Sequence, residues 1–98
     1  MTKVNDIIGL LRAKSATVAP FGKKIKLVLD GNVILVDGTA SPPAILEEDS
    51  DADITVTATL EDFAKIIDKK MNVQMALMSG KLKTRGDMLA AVPLIKLL

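Results

Sequence analysis

Gly80-Lys81-Leu82-Lys83-Thr84-Arg85-Gly86-Asp87, followed directly by Met88-Leu89-Ala90-Ala91-Val92-Pro93-Leu94-Ile95-Lys96-Leu97-Leu98, is the stretch on which the reading of this chain turns. Its first half alternates. Leu82 and Thr84 fall on one side of a short strand and Lys81, Lys83 and Arg85 on the other, the pattern of a strand with one solvated face. Asp87 then has the chemistry of a helix N-cap, and after it only Lys96 is charged, so a helix there is apolar nearly all the way round. Such a helix must be covered by the protein's own core, a partner chain, a membrane or an apolar ligand. Its eleven residues are too few to cross a bilayer, which takes about 20.

Upstream, Leu60, Phe63, Ala64, Ile67 and Met71 keep helical spacing behind Thr59, a capping residue with Asp62 in the capping-box position. A further turn or two runs from Val73 to Met78 and stops at Gly80. Ile54, Val56 and Ala58 alternate with Thr55 and Thr57 as a strand after the acidic loop Glu47 to Asp53. Ser41-Pro42-Pro43 forbids regular structure before a short, edge-like strand at Ala44 to Leu46. Ile25, Leu27 and Leu29 alternate from Lys23 onward. Asp30-Gly31-Asn32 then supplies a tight turn into a second strand, Val33 to Val36, closed by Asp37-Gly38. Val4, Ile7, Ile8 and Leu11 make the stripe of an amphipathic helix that fades near Ala19 and stops at Pro20. Helices on one face of a mostly antiparallel sheet make this an α+β, two-layer fold, expected as a single domain over residues 1–98.

Composition narrows the function. The chain has 98 residues, 49% hydrophobic, and six glycines bring the apolar share to about 55%, above the roughly 45–50% usual for soluble domains. Thirteen basic and twelve acidic residues leave a charge of +1, so no global field attracts nucleic acid. Lys81, Lys83, Arg85, Lys24 and Lys26 offer a basic sheet face. With Phe21 and Phe63 as the only aromatics, however, there is no stacking platform, and no nucleic-acid partner is expected. Cysteine and histidine are absent, which removes thiolate chemistry, most zinc sites and the usual general base. The alternating carboxylates Asp49-Ser50-Asp51-Ala52-Asp53 lack the glycine and the terminal glutamate of a calcium loop, since Ile54 and Leu60 stand there. No catalytic residue, metal site or cofactor is expected. Met1 to Leu11 is broken by Lys3 and Asp6 and does not read as a signal peptide, so a cytoplasmic protein is the expectation.

Met71, Met75 and Met78 stand at i, i+4 and i+7, and Met88 opens the apolar terminal segment, so four flexible thioethers are expected to converge. A methionine stripe is by itself ordinary core. Combined with scarce aromatics, surplus aliphatic residues and a greasy terminal helix, it suits a cavity with deformable walls.

Several blocks then recur in order. These are Asp53-Ile54-Thr55-Val56-Thr57, Leu60-Glu61-Asp62-Phe63, Ala76-Leu77-Met78-Ser79-Gly80-Lys81-Leu82-Lys83 and Gly86-Asp87-Met88-Leu89-Ala90. From Asp53 to Leu94 the chain resembles the sterol carrier protein type 2 family. The resemblance implies a five-stranded sheet covered by helices and enclosing an apolar tunnel. It also implies non-catalytic intracellular lipid binding and transfer, the ligand being a fatty acyl chain, fatty acyl-CoA, phospholipid or sterol, with transient membrane contact. It places Ala76 to Gly80 beside the tunnel and makes Met88 to Leu94 a lid. The expected lipid-binding residues are Phe63 and Ile67 from the helix behind Thr59, Met71, Met75, Leu77 and Met78 after it, and Leu82 from the strand. Met88, Leu89, Val92 and Ile95 complete the set from the terminal helix. The sequence departs from the family where Leu77 replaces an aromatic, Lys69-Lys70 a glycine-containing turn, and Pro93 interrupts the terminal helix.

A monomer is the expected state. The alternative is a protein-interaction module that buries its apolar C-terminal helix in a dimer or partner interface. An enzyme using Asp62 or Asp87 as an acid would need a polar pocket around either carboxylate.

Overall fold

The computed structural model describes residues 3–98. Helix α1 spans Val4–Ser15, followed by strands β1 (Lys24–Leu29), β2 (Asn32–Asp37), β3 (Ala44–Leu46) and β4 (Ile54–Ala58). Helices α2 (Leu60–Ile67) and α3 (Val73–Met78), strand β5 (Lys83–Gly86), a 3-10 turn at Met88–Ala90 and helix α4 (Ala91–Leu97) complete the chain. The five strands form one sheet in the order β3-β2-β1-β4-β5. Three neighbouring pairs are antiparallel and the central pair, β1 with β4, is parallel. The mostly antiparallel α+β layer expected from the sequence is the fold observed, with β3 and β5 as its edges.

Alternation in sequence becomes segregation in space. Ile25, Leu27, Leu29, Ile34, Val36, Ile54 and Val56 are buried in one cluster with Ile7, Ile8 and Leu11 of α1, Phe63 and Ile66 of α2, and Leu94 and Leu97 of α4. Each such side chain contributes about 1.5–3 kcal/mol on burial. The opposite sheet face carries the register row Lys26, Thr55, Arg85 and, beside it, Val28, Thr57, Lys83. On that face Leu35 is nevertheless almost fully buried, opposite Lys26 and Leu46. The acidic loop is drawn toward it by an ion pair from Lys26 to Asp49 at 2.7 Å, while Asp53 at its end accepts the Lys24 backbone N–H at 2.8 Å. The loop therefore has a structural use, drawing its carboxylates onto the basic face.

The first helix ends at Ser15, sooner than its sequence suggests, because the hydroxyl of Ser15 donates back to the Arg12 carbonyl and the chain turns to reach Phe21. Phe21 and Gly22 both donate backbone N–H groups to Gly38 O. A Cβ on Gly38 would stand 2.1 Å from the Phe21 ring, so only glycine lets the two segments meet.

Candidate functional site

Two short helices and the last strand converge on one side of the molecule. α2 starts with Thr59 Oγ1 accepting the Asp62 N–H at 3.0 Å and Asp30 accepting the Leu60 N–H at 2.9 Å. The cap is thus shared between Thr59 and the β1–β2 turn. Lys69 follows the helix in a left-handed conformation, φ 62, and Asn72 caps α3 by accepting the Gln74 N–H at 2.8 Å. This break is the first departure from the sequence expectation. Met71 lies in the turn between the helices, not on a continuous helix with Met75 and Met78.

The terminal segment is pinned at both ends. Gly86 adopts φ 123 against Asp53 O, which accepts the Asp87 N–H at 2.8 Å. Asp87 caps the 3-10 turn by accepting the Leu89 N–H at 3.0 Å, and pairs with Lys23 at 3.2 Å. The Leu89 N–H first, and Lys23 second, hold the Asp87 carboxyl below the usual carboxylate range. An anchored anion of this kind is a poor proton donor near neutrality. At the far end, Lys69 Nζ donates to Leu98 O. Pro93 is the third residue of α4, where the N–H needs no intrahelical acceptor, so it breaks no bond of that helix. The interruption expected at Pro93 lies earlier, at the change from 3-10 turn to α-helix.

Between α3, the inner side of β4 and β5 and the terminal segment lies an apolar cavity of about 50 Å³. Val56, Val73, Leu77, Leu82, Thr84, Met88, Ala91, Leu94, Ile95 and Leu98 line it, and no polar atom contributes to its wall. Beside it a groove of about 620 Å³ runs along Ile66, Lys69, Met71, Asn72, Val73, Gln74, Leu77, Ile95 and Leu98. Val73, Leu77, Ile95 and Leu98 belong to both, so cavity and groove form one seam.

The seam brings together Met71, Leu77, Leu82, Met88 and Ile95 of the expected residues. Phe63 and Ile67 are buried in the main core. Met75 faces a separate hollow with Lys70, Met71 and Lys81, and Val92 packs on the other side of α4 beside Val18, Pro20 and Phe21. Met78 and Leu89 stand out in solvent, 88% and 75% exposed, and Met75 is 69% exposed. The four thioethers therefore do not converge. The cavity walls also include Val56, Val73, Ala91, Leu94 and Leu98, which the sequence reading left out. Val56 was available from the strand alternation, and Leu94 and Leu98 from their i, i+4 spacing.

Around Asp62 there is an open hollow shared with Asp30, Thr57, Thr59, Lys81 and Lys83 on the solvated side. Asp30 is already committed to capping α2.

Compared with known proteins, the chain matches one family over residues 4–98, nearly its whole length. It belongs to the SCP-2 sterol transfer family. Membership places it in the lipid-binding and lipid-transport class. The crystal structure of Sterol Carrier Protein 2 Like 2 from Aedes aegypti superposes with a TM-score of 0.82 at 28% identity, covering 97% of this chain and 95% of that one. The solution structure of palmitated SCP2L2 from Aedes aegypti gives 0.74 at 26% identity, over 98% and 93% of the two chains. Human Hydroxysteroid dehydrogenase-like protein 2 is 42% identical over 52 residues, 53% of this chain but 12% of that protein's length. The likeness to that larger protein thus concerns only its SCP-2-like part.

Proposed function

We propose that this SCP-2 domain is a non-catalytic carrier that holds the apolar chain of one lipid in the seam between α3 and the terminal helix. Fatty acids, fatty acyl-CoA, phospholipids and sterols are the ligand class. The observation that carries this reading is the cavity wall, which offers a ligand no hydrogen bond and continues into an apolar-sided groove. The palmitated state of the Aedes aegypti relative supports an acyl chain as the occupant.

The enclosed space of about 50 Å³ is well below the roughly 150 Å³ that accepts a benzene-sized guest, so the seam widens when a chain enters. Its two walls differ in strength. The terminal helix is fastened by Leu94, Leu97 and Leu98, all buried in the core, whereas α3 buries only Ala76. The moving wall is therefore α3, with the left-handed turn at Lys69 and the glycine at Gly80 on either side of it. The lid implied for Met88 to Leu94 gives way to a fixed terminal helix. Ten methylenes at about 0.8 kcal/mol each yield about 8 kcal/mol before association costs, so the net affinity is modest and release is ready.

Leu77, shared by cavity and groove, supplies the test. Titration with a fluorescent fatty acid is expected to saturate at one site in the wild type. Leu77→Trp, which fills the seam, is expected to weaken it at least ten-fold while thermal unfolding stays cooperative. A folded wild-type protein that shows no saturable binding would end the proposal.

A further inference from the structure

Among the described residues, Lys69 is the single charged group that lines the seam, in cavity and groove together. Its placement is fixed at both ends. The left-handed turn, φ 62, is closed by the Lys69 N–H donating to Ile66 O at 3.2 Å, and by Lys70 and Met71 both donating to Lys65 O, at 2.8 and 3.1 Å. Two consecutive lysines are thereby sent to different places, Lys69 to the groove and Lys70 to the hollow beside Met75 and Lys81. At the other end of the side chain, Lys69 Nζ donates to Leu98 O, and Leu98 is itself buried in the core and part of the cavity wall. An ammonium carries three N–H donors. Leu98 O takes one of them, and no carboxylate among the described residues pairs with Lys69. Two donors of a held cation therefore remain beside an apolar cavity. Asn72, next along the groove, spends its side-chain oxygen on capping α3 and keeps its amide NH2 group, and Gln74 adds a second amide. No carboxylate lines the groove.

We propose that Lys69 receives the head group of the bound lipid and that this head is a single carboxylate, so that a free fatty acid is the ligand the seam prefers within its wider class. The assignment deepens the carrier reading and rests on it. Charge counting selects the head. A carboxylate sets one negative charge against the one cation of the groove, whereas a sterol hydroxyl brings no charge for it and a coenzyme A head brings several, more than one lysine offsets. The hydrogen bond to Leu98 O holds the ammonium in place beforehand, so little side-chain freedom is lost when the head arrives. The hydrocarbon tail then runs from Lys69 past Leu77 and Ile95, which line groove and cavity alike, to Val56 and Leu82 on the inner wall. Lys69 is thus a specificity-determining residue, and the apolar wall supplies the affinity common to every chain-bearing ligand.

The experiment titrates the protein with a pyrene-labelled fatty acid and with the methyl ester of the same molecule, which keeps the tail and removes the charge. The wild type is expected to bind the acid about ten-fold more tightly than the ester, the effect of one hydrogen bond to a charged group. Lys69→Gln is expected to bring the acid down to the affinity of the ester and to leave the ester unchanged. Lys69→Arg, which keeps the cation, is expected to retain most of the preference. Lys70→Gln, directed at the neighbouring hollow, is expected to retain all of it. In displacement of the bound pyrene acid, hexadecanoic acid is expected to act at lower concentration than cholesterol or hexadecanoyl-CoA. Equal affinity of the wild type for acid and ester would overturn the assignment, and so would equal loss from Lys69→Gln and Lys70→Gln, or stronger displacement by cholesterol or by the coenzyme A ester. Weakening of acid and ester alike in Lys69→Gln would reduce the residue to a tie between the turn and Leu98 and would overturn it as well. Should Lys69→Gln lose cooperative thermal unfolding, the acid-to-ester ratio of the wild type and of Lys69→Arg decides alone. The two readings fail differently: saturation by both ligands at equal affinity removes the Lys69 anchor and keeps the carrier, while saturation by neither removes the carrier and the anchor with it.

Discussion

Asp87 joins three parts of the chain: its backbone N–H reaches Asp53, its carboxylate caps the turn at Leu89, and the same carboxylate meets Lys23 ahead of β1. Because the Leu89 N–H and Lys23 depress its folded pKa, the stability it supplies is fully present above the unfolded carboxylate value of about 4 and is lost as the pH falls through the lower folded one. Asp37 behaves alike, held down first by the Thr39 hydroxyl and then by the Thr39 N–H. The thermal midpoint is expected to be level from neutrality to about pH 5 and to drop below about pH 4. Asp87→Asn keeps an acceptor for Leu89 but no charge, so its midpoint is expected to be lower at neutral pH and its acid slope shallower, with Asp37 preserving part of it. An acid slope identical to that of the wild type would show that Asp87 does not carry the effect.

At the scale of elements, the terminal helix is the informative one, since its sequence is apolar on every side and its burial is not. Leu94 is packed in the core and Leu89 is exposed. Leu94→Ala is expected to cost about 2–5 kcal/mol in urea unfolding, and Leu89→Ala to stay within about 0.5 kcal/mol. Equal losses would contradict the one-sided burial. The contrast explains what was legible beforehand. Strands β1 and β4 and helix α2 were readable because polar residues mark the outer side of each, as Lys24 and Lys26 do opposite Ile25 and Leu27. A run such as Met88 to Leu98 has Lys96 as its one polar residue, too little to say which side of the segment faces inward, so Leu89 and Val92 were placed in the wall and Leu94 and Leu98 were not. The methionine stripe failed for a different reason. Its spacing holds only along an unbroken helix, and the left-handed turn at Lys69, a residue with no special liking for that conformation, rotates α3 away from α2. The parallel pairing of β1 with β4 was equally invisible, because alternation reports a face and never a neighbour.

Across the whole molecule, β2, β1 and β4 are each paired on both sides, with β1 at the middle of the sheet, while β5 has β4 as its one neighbour in the sheet. α3 hangs beyond β5's entry, joined to it through Leu82 N–H donating to Ala76 O at 3.0 Å. Amide exchange measures the result. β1 and β4 amides are expected to exchange only through global unfolding, and those of Val73 to Met78 through a local opening several kcal/mol cheaper, as regions with few buried contacts do. Uniform protection in both regions would rule out a separately opening segment. If the two are separate, the protein is a clasp on a rigid plate: the plate can stay folded through every round of loading and delivery, and warming should quicken lipid exchange well below the temperature at which the sheet melts.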